Sequence, residues 1–307
     1  MKIDLNFYPA WTRKAITFTI DDGNTRLDRK FLEIVRPSGI KGTFNFVTPL
    51  GELTSEEYRE LYKGYGISNH CKFHADAFTT RTKREILDIP FDRNSADPAY
   101  GYKTAEEGLY RIFTYNWTFL ATDEKYMECV SDCQRELESV FGVGNVQGYV
   151  WPNGLQQNDR VIRSVRNYGF QSVRRTGCEE DRTGFALPSD RLNWSYNADY
   201  RNMTEFGEKY EAYPDDGTLK FFCFGVHSHD FENAGKWDVL TDFCRRYGNR
   251  PNNFWYATVS QVFDYEDAVK SVVVTDSEIR NPSSTDLYIR INGENVILLA
   301  NSSISLL

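Results

Sequence analysis

Short β-branched and aromatic runs alternate along the chain with segments whose apolar residues have helical spacing. This pattern predicts strands followed by helices. Residues 14–20 are β-branched or aromatic at most positions and stop at two Asp residues and a Gly. Residues 26–35 carry apolar side chains at helical spacing, and 42–47 again have a strand pattern. This order predicts a β–α–β unit that delivers two carboxylates to the C-terminal end of its first strand.

The alternation continues through most of the chain. It predicts further strands at 66–69, 146–151, 170–173, 219–226 and 255–258, and helices at 123–141, 158–168 and 237–247. The segment 88–117 contains several Pro and Gly residues and is expected to be an irregular insertion. Repeated strand–helix alternation is typical of parallel α/β barrels and open sheets, whose reactive residues lie at the C-terminal ends of strands.

The pattern changes after about Ala268. Short alternating segments at 271–275, 286–292 and 295–300 predict strands, and the sequence Asn-Gly-Glu at 292–294 is typical of a hairpin turn. We therefore predict two units, a barrel over 1–267 and a small antiparallel β appendage over 268–307.

Composition narrows the possible partners and the compartment. A net charge of −8 argues against a nucleic acid or an anionic membrane as the main partner, because both attract positive surfaces. The sequence as it stands has no leader and no apolar stretch that could span a bilayer, so we expect a cytoplasmic protein, or a secreted one if a leader preceded Met1. The six Cys residues lack the spacing of a disulfide framework and are expected to be buried thiols.

The four histidines of the chain form two close pairs, His70 with His74 and His227 with His229. Imidazoles four residues apart share one face if the segment is helical, and neutral imidazole is a good zinc ligand. Taken alone, such a pair more often decorates a helix. With the carboxylate of Asp22 it would complete an open three-ligand site.

A hydrolytic metal site also needs a base beside the bound water and an acid for the leaving group. Asp21 and the second histidine pair could supply them. Neighbouring strand residues normally point to opposite faces, so Asp21 and Asp22 can share a site only if the strand ends there, and Gly23 makes that possible. Without the histidines, Asp-Asp-Gly would be read as an ordinary exposed turn.

These segments resemble the polysaccharide deacetylase family, also called the NodB homology domain or carbohydrate esterase family 4, over about 14–265. The sequence TFTIDDG at 17–23 is similar to the first motif of the family, and HCKFH at 70–74 to the second. The resemblance implies a distorted (β/α) barrel of the NodB type. It also implies catalysis by a base, Asp21, and a metal held by Asp22, His70 and His74.

The late motif, which carries the catalytic acid, contains two histidines in this chain. The sequence GVHSHDF at 225–231 resembles a branch that reads G-H-S-aromatic-acid-F. That alignment places His227 on the acid and His229 on the aromatic position, so we predict His227 as the acid.

The third motif departs from the family. Residues 148–154 read GYVWPNG and lack the arginine that usually precedes the prolines. The run Arg174-Arg175-Thr176 resembles an Ala-Arg-Thr run in the arginine-lacking branch, which selects Arg175 as the cation beside Asp21. A pair of solvated surface arginines is an equally good interpretation.

Further residues are predicted to contact substrate. The resemblance implies a backbone N–H near Asn153 that faces the oxygen of the tetrahedral intermediate, within a loop whose shape Pro152 maintains. Trp151 and Trp194 are candidate sugar platforms, although Trp at least as often fills a core.

The predicted activity is hydrolysis of an N- or O-linked acetyl group on a carbohydrate. One divalent metal is expected, first zinc, with cobalt or nickel as alternatives. Two other functions remain open: hydrolysis of a non-sugar amide or imide on the same fold, and carbohydrate binding without catalysis. Retention of both acid–base residues and all three ligands argues against the second.

Overall fold

The computed structural model describes residues 1–77, 101–104, 109–112, 117–120, 123–152, 159–175 and 185–306. Its strands are β1 (Ile3–Phe7), β2 (Lys14–Asp21), β3 (Thr43–Thr48), β4 (Gly66–Lys72), β5 (Ala75–Ala77), β6 (Gly101–Thr104), β7 (Leu109–Ile112), β8 (Trp117–Leu120), β9 (Val146–Val150), β10 (Ser172–Arg174), β11 (Lys220–His227), β12 (Trp255–Tyr256), β13 (Val273–Val274), β14 (Glu278–Asn281), β15 (Leu287–Ile291), β16 (Glu294–Leu298) and β17 (Ser302–Ser305). Its helices are α1 (Thr25–Val35), α2 (Ser55–Leu61), α3 (Asp123–Phe141), α4 (Asp159–Arg166), α5 (Met203–Ala212), α6 (Ser228–Ala234), α7 (Trp237–Tyr247) and α8 (Val259–Lys270).

The central sheet is parallel, with strand order β10-β9-β4-β3-β2-β11, and β12 also pairs with β2. The segment 194–198 pairs with both outer strands of this sheet. Trp194 forms a parallel bridge with Arg174 of β10, and Ala198 forms another with Phe224 of β11. The sheet therefore curls into a distorted (β/α) barrel, which confirms the predicted fold class.

Side-chain alternation divides the barrel strands into an outer and an inner face. Phe18, Phe44 and Phe224 pack outward against helix residues such as Phe31 of α1 and Phe243 of α7, in one large aromatic cluster. The alternate positions of β2 and β3 face inward and are largely polar: Thr17, Thr19, Asp21, Thr43 and Asn45. The inner face of β2 therefore ends in a carboxylate rather than in an apolar side chain.

Strand register sets which residues meet at the rim. β2 and β11 pair in parallel along their whole length, and the last pair is Asp21 with His227. Adjacent parallel strands lie about 4.8 Å apart. These two residues are therefore neighbours although 206 positions separate them in the sequence.

The C-terminal region forms two small antiparallel sheets, which confirms the predicted appendage. Their strand orders are β1-β15-β16 and β13-β14-β17. The N-terminal strand β1, which was not among the predicted elements, pairs with β15. Leu287 and Leu298 share a cluster with Phe221 of the barrel and Phe263 of α8. The division into 1–267 and 268–307 stays a prediction.

Several predicted elements have the bounds that the sequence pattern gave, notably the helices at 123–141 and 237–247. Within the expected irregular insertion, 101–104 and 109–112 form strands β6 and β7 and 117 begins β8, while the rest lies outside the described residues. In the described part of the chain, no helix is both long enough and apolar enough to cross a membrane.

Candidate active site

The two carboxylates lie where β2 stops. Asp22 and Gly23 both have left-handed backbone conformations, with φ of 76° and 69°. Two such residues in succession turn the chain sharply, and the strain at a non-glycine residue is typical of functional sites. A Cβ at Gly23 would collide with the Phe46 ring. The turn brings Oδ2 of Asp22 to 3.9 Å and Oδ2 of Asp21 to 4.0 Å from Nε2 of His227.

The first histidine pair lies at the end of β4 rather than on a helix. His70 is on the strand, and His74 follows in a turn where Phe73 and His74 both have positive φ. Their Nε2 atoms lie 3.6 and 3.7 Å from Oδ1 of Asp22. Cys71, which follows His70, packs into an outer cluster. The three predicted ligands therefore converge on one point, each offering one ligand atom within 4.8 Å of the others.

The chemistry of these three residues fits a divalent metal. Nδ1 of His70 lies 3.0 Å from the carbonyl of Val150, which leaves Nε2 as the lone-pair nitrogen, the arrangement usual for metal-bound histidine. Burial and the neighbouring His70 lower the pKa of His74 to about 4, so His74 is neutral at pH 7. Among the described residues, Oδ1 of Asp22 is buried and has no hydrogen-bond partner. A cation at this point would satisfy it.

Asp21 is held by two side chains inside the barrel mouth. Asn45 Nδ2 donates to Oδ1 of Asp21 at 2.7 Å and also to the hydroxyl of Thr19 at 2.7 Å. Arg174 Nη2 forms a buried ion pair with the same Oδ1. Burial alone would raise the pKa of Asp21, but the guanidinium of Arg174, with His70 and His227, holds it well below its usual range. Asp21 is therefore a fixed, ionised carboxylate.

The cation beside Asp21 is Arg174, so the prediction of Arg175 is wrong. Val173 of β10 faces outward and packs in the cluster that contains Tyr149 and Val165. Strand alternation therefore turns Arg174 into the barrel, where it is 1% exposed. Arg175 lies at the rim, half-buried, and its role in substrate binding stays a prediction.

Replacing Arg174 by Gln should move the acidic limb of the pH–rate profile to higher pH. Without the guanidinium, burial dominates and the pKa of Asp21 rises. Arg175→Gln should leave that limb in place, and Arg174→Lys should shift it less than Arg174→Gln does. Removing one partner of a buried ion pair typically costs about 3–5 kcal/mol, so melting temperatures must accompany the profiles. Identical profiles for the Arg174→Gln and Arg175→Gln variants would contradict this assignment.

His227 is oriented by an acid three residues later. Its Nδ1 lies 2.9 Å from Oδ2 of Asp230, which also accepts the backbone N–H of His227 at 2.8 Å. Burial alone would lower the pKa of His227, but the hydrogen bond to Asp230 and the charges of Asp21 and Asp22 raise it to about 9. The imidazolium therefore persists at neutral pH, with Nε2 directed at the two carboxylates. His229 lies beside it, with ring centroids 4.7 Å apart.

Asn45, Arg174 and Asp230 contribute to the site but were not assigned these roles from the sequence. Asn45 occupies an inward position of β3. An Asn between two Phe residues of a buried strand is the signal that could have identified it. Asp230 lies at the third position of α6, where an acid often bonds back to the residue that caps the helix.

The predicted sugar platforms are core residues. Trp194 is 2% exposed and packs against Phe221 and Phe263, and Trp151 is 5% exposed and stacks on Tyr126. Neither ring presents a face to a sugar, which corrects both expectations. Pro152 is also buried, and Asn153 lies outside the described residues.

A second buried carboxyl, Asp28, lies behind the rim on α1. It is fully buried, and the Tyr62 hydroxyl donates to its Oδ2 at 2.7 Å. Burial raises the pKa of Asp28 to about 7, although hydrogen bonds from Tyr62 and Ser228 lower it. The unfolded chain releases this proton at lower pH than the folded protein does. The free energy of unfolding should therefore fall as the pH rises from about 4 to about 7.

The Asp28→Asn variant should therefore be more stable than the parent protein above pH 7, by a gain on the order of a few kcal/mol, with a smaller difference near pH 5. Melting temperatures across this range measure the effect. The exposed Asp242, replaced in the same way, is the matched control and should show no such trend. A difference in melting temperature between Asp28→Asn and the parent protein that does not vary with pH would contradict the raised pKa of Asp28.

Three solved structures are similar to this chain at 14% sequence identity or less. A candidate polysaccharide deacetylase from Mycobacterium smegmatis has a TM-score of 0.51 at 14% identity, covering 87% of this chain and 94% of the other. The Xyl-CE4 domain of a multidomain xylanase from the hindgut metagenome of Trinervitermes trinervoides gives 0.45 at 14% identity, covering 84% and 93%. Bacillus subtilis PdaA, a family 4 carbohydrate esterase, gives 0.42 at 12% identity, covering 83% and 82%.

Sequence comparison is consistent with these structures. No curated protein sequence matches the chain. The family model described as polysaccharide deacetylase matches residues 10–173, more than half of the chain. The matched range includes both rim carboxylates and the first histidine pair, but not His227. The chain therefore belongs to the polysaccharide deacetylase family, the NodB homology or carbohydrate esterase family 4 group.

Proposed function

We propose that this protein is a metal-dependent hydrolase that removes acetyl groups from a carbohydrate, with Asp22, His70 and His74 as the metal ligands. The observation that carries the proposal is the convergence of these ligands with an ionised carboxylate and a protonated imidazole at one rim of the barrel. Zinc suits two imidazoles and one carboxylate, and cobalt or nickel would also be accepted. When bound, such an ion lowers the pKa of a water ligand and polarises a carbonyl oxygen.

In the proposed reaction, Asp21 accepts a proton from the attacking water. Its Oδ1 is occupied by Asn45 and Arg174, so Oδ2, which faces His227, is the oxygen available for the reaction. The low pKa keeps Asp21 ionised, and the two contacts on Oδ1 fix its orientation. A positioned, ionised carboxylate beside the ligand cluster is what a general base requires.

In the proposed reaction, His227 protonates the leaving group. Its Nδ1 is held by Asp230, so the proton on Nε2 points towards the carboxylates across a gap of about 4 Å. Transfer of that proton to the departing amine or alcohol would leave a neutral imidazole, still bonded to Asp230.

A panel of substrates tests this function and its two alternatives. Zinc-loaded protein would be incubated with N-acetylated chito-oligosaccharides, O-acetylated xylo-oligosaccharides and a non-sugar ureide, and acetate and ammonia would be quantified. Acetate release from at least one of the two sugars is expected. Cleavage of the ureide alone would support the amide or imide hydrolase, and sugar binding without any product would support the non-catalytic alternative.

A further inference from the structure

His229, on the exposed side of His227, has no role in the proposed reaction. Its Nε2 lies 3.9 Å from Oδ1 of Asp230, while Oδ2 of the same carboxylate holds Nδ1 of His227. Each of these three residues offers one ligand atom, and the three atoms lie within 4.8 Å of one another. All three side chains are between a quarter and two-fifths exposed, so solvent ions can reach them.

We propose that His227, His229 and Asp230 form a second binding site for a zinc-type divalent ion, separate from the cluster of Asp22, His70 and His74. Two imidazoles and a carboxylate are the ligands such an ion prefers, and four-coordinate zinc brings its ligand atoms about 3–3.5 Å apart. The three ligand atoms lie within 4.8 Å of one another, so side-chain movements of about 1 Å would bring them into that range. Magnesium, which prefers oxygen ligands and retains its waters, should not bind there.

Occupation of this second site would inhibit the enzyme, a consequence that rests on the proposed role of His227 as the acid. The ion would replace the proton on Nδ1 of His227, which passes to solvent, and would break the hydrogen bond to Asp230. The Nε2–H group of a metal-bound neutral imidazole is a much weaker acid than that of an imidazolium. His227 would then be unable to protonate the leaving group.

Calorimetric titration with zinc chloride tests the site without using activity. Metal-free protein should bind two zinc ions, the second more weakly, and the His229→Ala variant should bind one. In a His70→Ala, His74→Ala background only the weaker site should remain, and adding His229→Ala should weaken it at least tenfold. Asp238→Ala, which removes an exposed acid of α7, is the matched control and should retain the site. Magnesium chloride should give no second binding event.

The inhibition is tested by adding zinc to protein that already holds one equivalent. The rate should fall as the second site fills, and in His229→Ala the rate should stay at its own one-equivalent value over the same range. A second zinc site that persists in His229→Ala, or equal inhibition of both proteins, would overturn the proposal. If zinc-loaded protein releases no acetate, the proposed function fails. Zinc binding by the His70→Ala, His74→Ala protein then still shows whether the second site exists.

Discussion

Replacing Asp21 by Asn or His227 by Ala should reduce the rate of acetate release by about 10²- to 10⁴-fold while the protein keeps its metal, since loss of one acid–base group typically costs that much. Asn cannot accept the proton of the attacking water, and Ala leaves the amine or alcohol without a donor. Neither residue belongs to the cluster of Asp22, His70 and His74. Steady-state rates and metal content of the two variants measure both parts of the expectation.

His229→Ala is the comparison that decides between the two histidines of the late motif, and it should keep substantial activity. Nε2 of His227 lies about 4 Å from the rim carboxylates, and Asp230 holds its other nitrogen. If His229→Ala is the inactive variant and His227→Ala is not, the assignment of the acid is wrong.

The His70→Ala, His74→Ala double variant should lose the metal of the Asp22 cluster and with it all measurable activity. Two of three ligands are then missing, and one half-buried carboxylate does not hold a zinc-type ion at stoichiometric level. Metal analysis after dialysis should give about one equivalent for the parent protein and well below one for the variant.

Cys71→Ala is the matched control for that experiment, because Cys71 stands between the two histidines but packs into the outer cluster. It should retain its metal. One full equivalent of metal at the Asp22 cluster in the double variant, or metal loss in Cys71→Ala comparable to that of the double variant, would contradict the ligand assignment.

The barrel strands β2, β3 and β11 could be predicted because each is a short run rich in β-branched or aromatic residues. β2 and β11 both end at polar residues, Asp21 and His227, and parallel strands place such ends at one rim. Periodicity does not report register, so the direct pairing of these two residues became visible only in the structure. β1 was missed, although Ile3, Leu5 and Phe7 alternate with polar residues as in a half-buried strand.

The orientation of individual side chains was the least predictable feature. Arg174 and Arg175 are chemically alike and adjacent, and the choice between them depends on which face of β10 packs against α4, which no local pattern encodes. Trp194 shows the same limit. Its burial follows from contacts with β11 and α8, which are distant in sequence. The helix α8 was missed, although Thr258 and Gln261 form a capping box that the sequence displays.

The most direct measurement is acetate release from the acetylated sugars of the panel while metal-free protein is titrated with zinc. Metal-free protein should be inactive, and the rate should rise in proportion to added zinc up to one equivalent. The Asp21→Asn variant should bind that equivalent and remain at least about a hundredfold slower. Acetate release that is undiminished in metal-free protein, or no release from any acetylated sugar at one equivalent, would contradict a metal-dependent carbohydrate deacetylase.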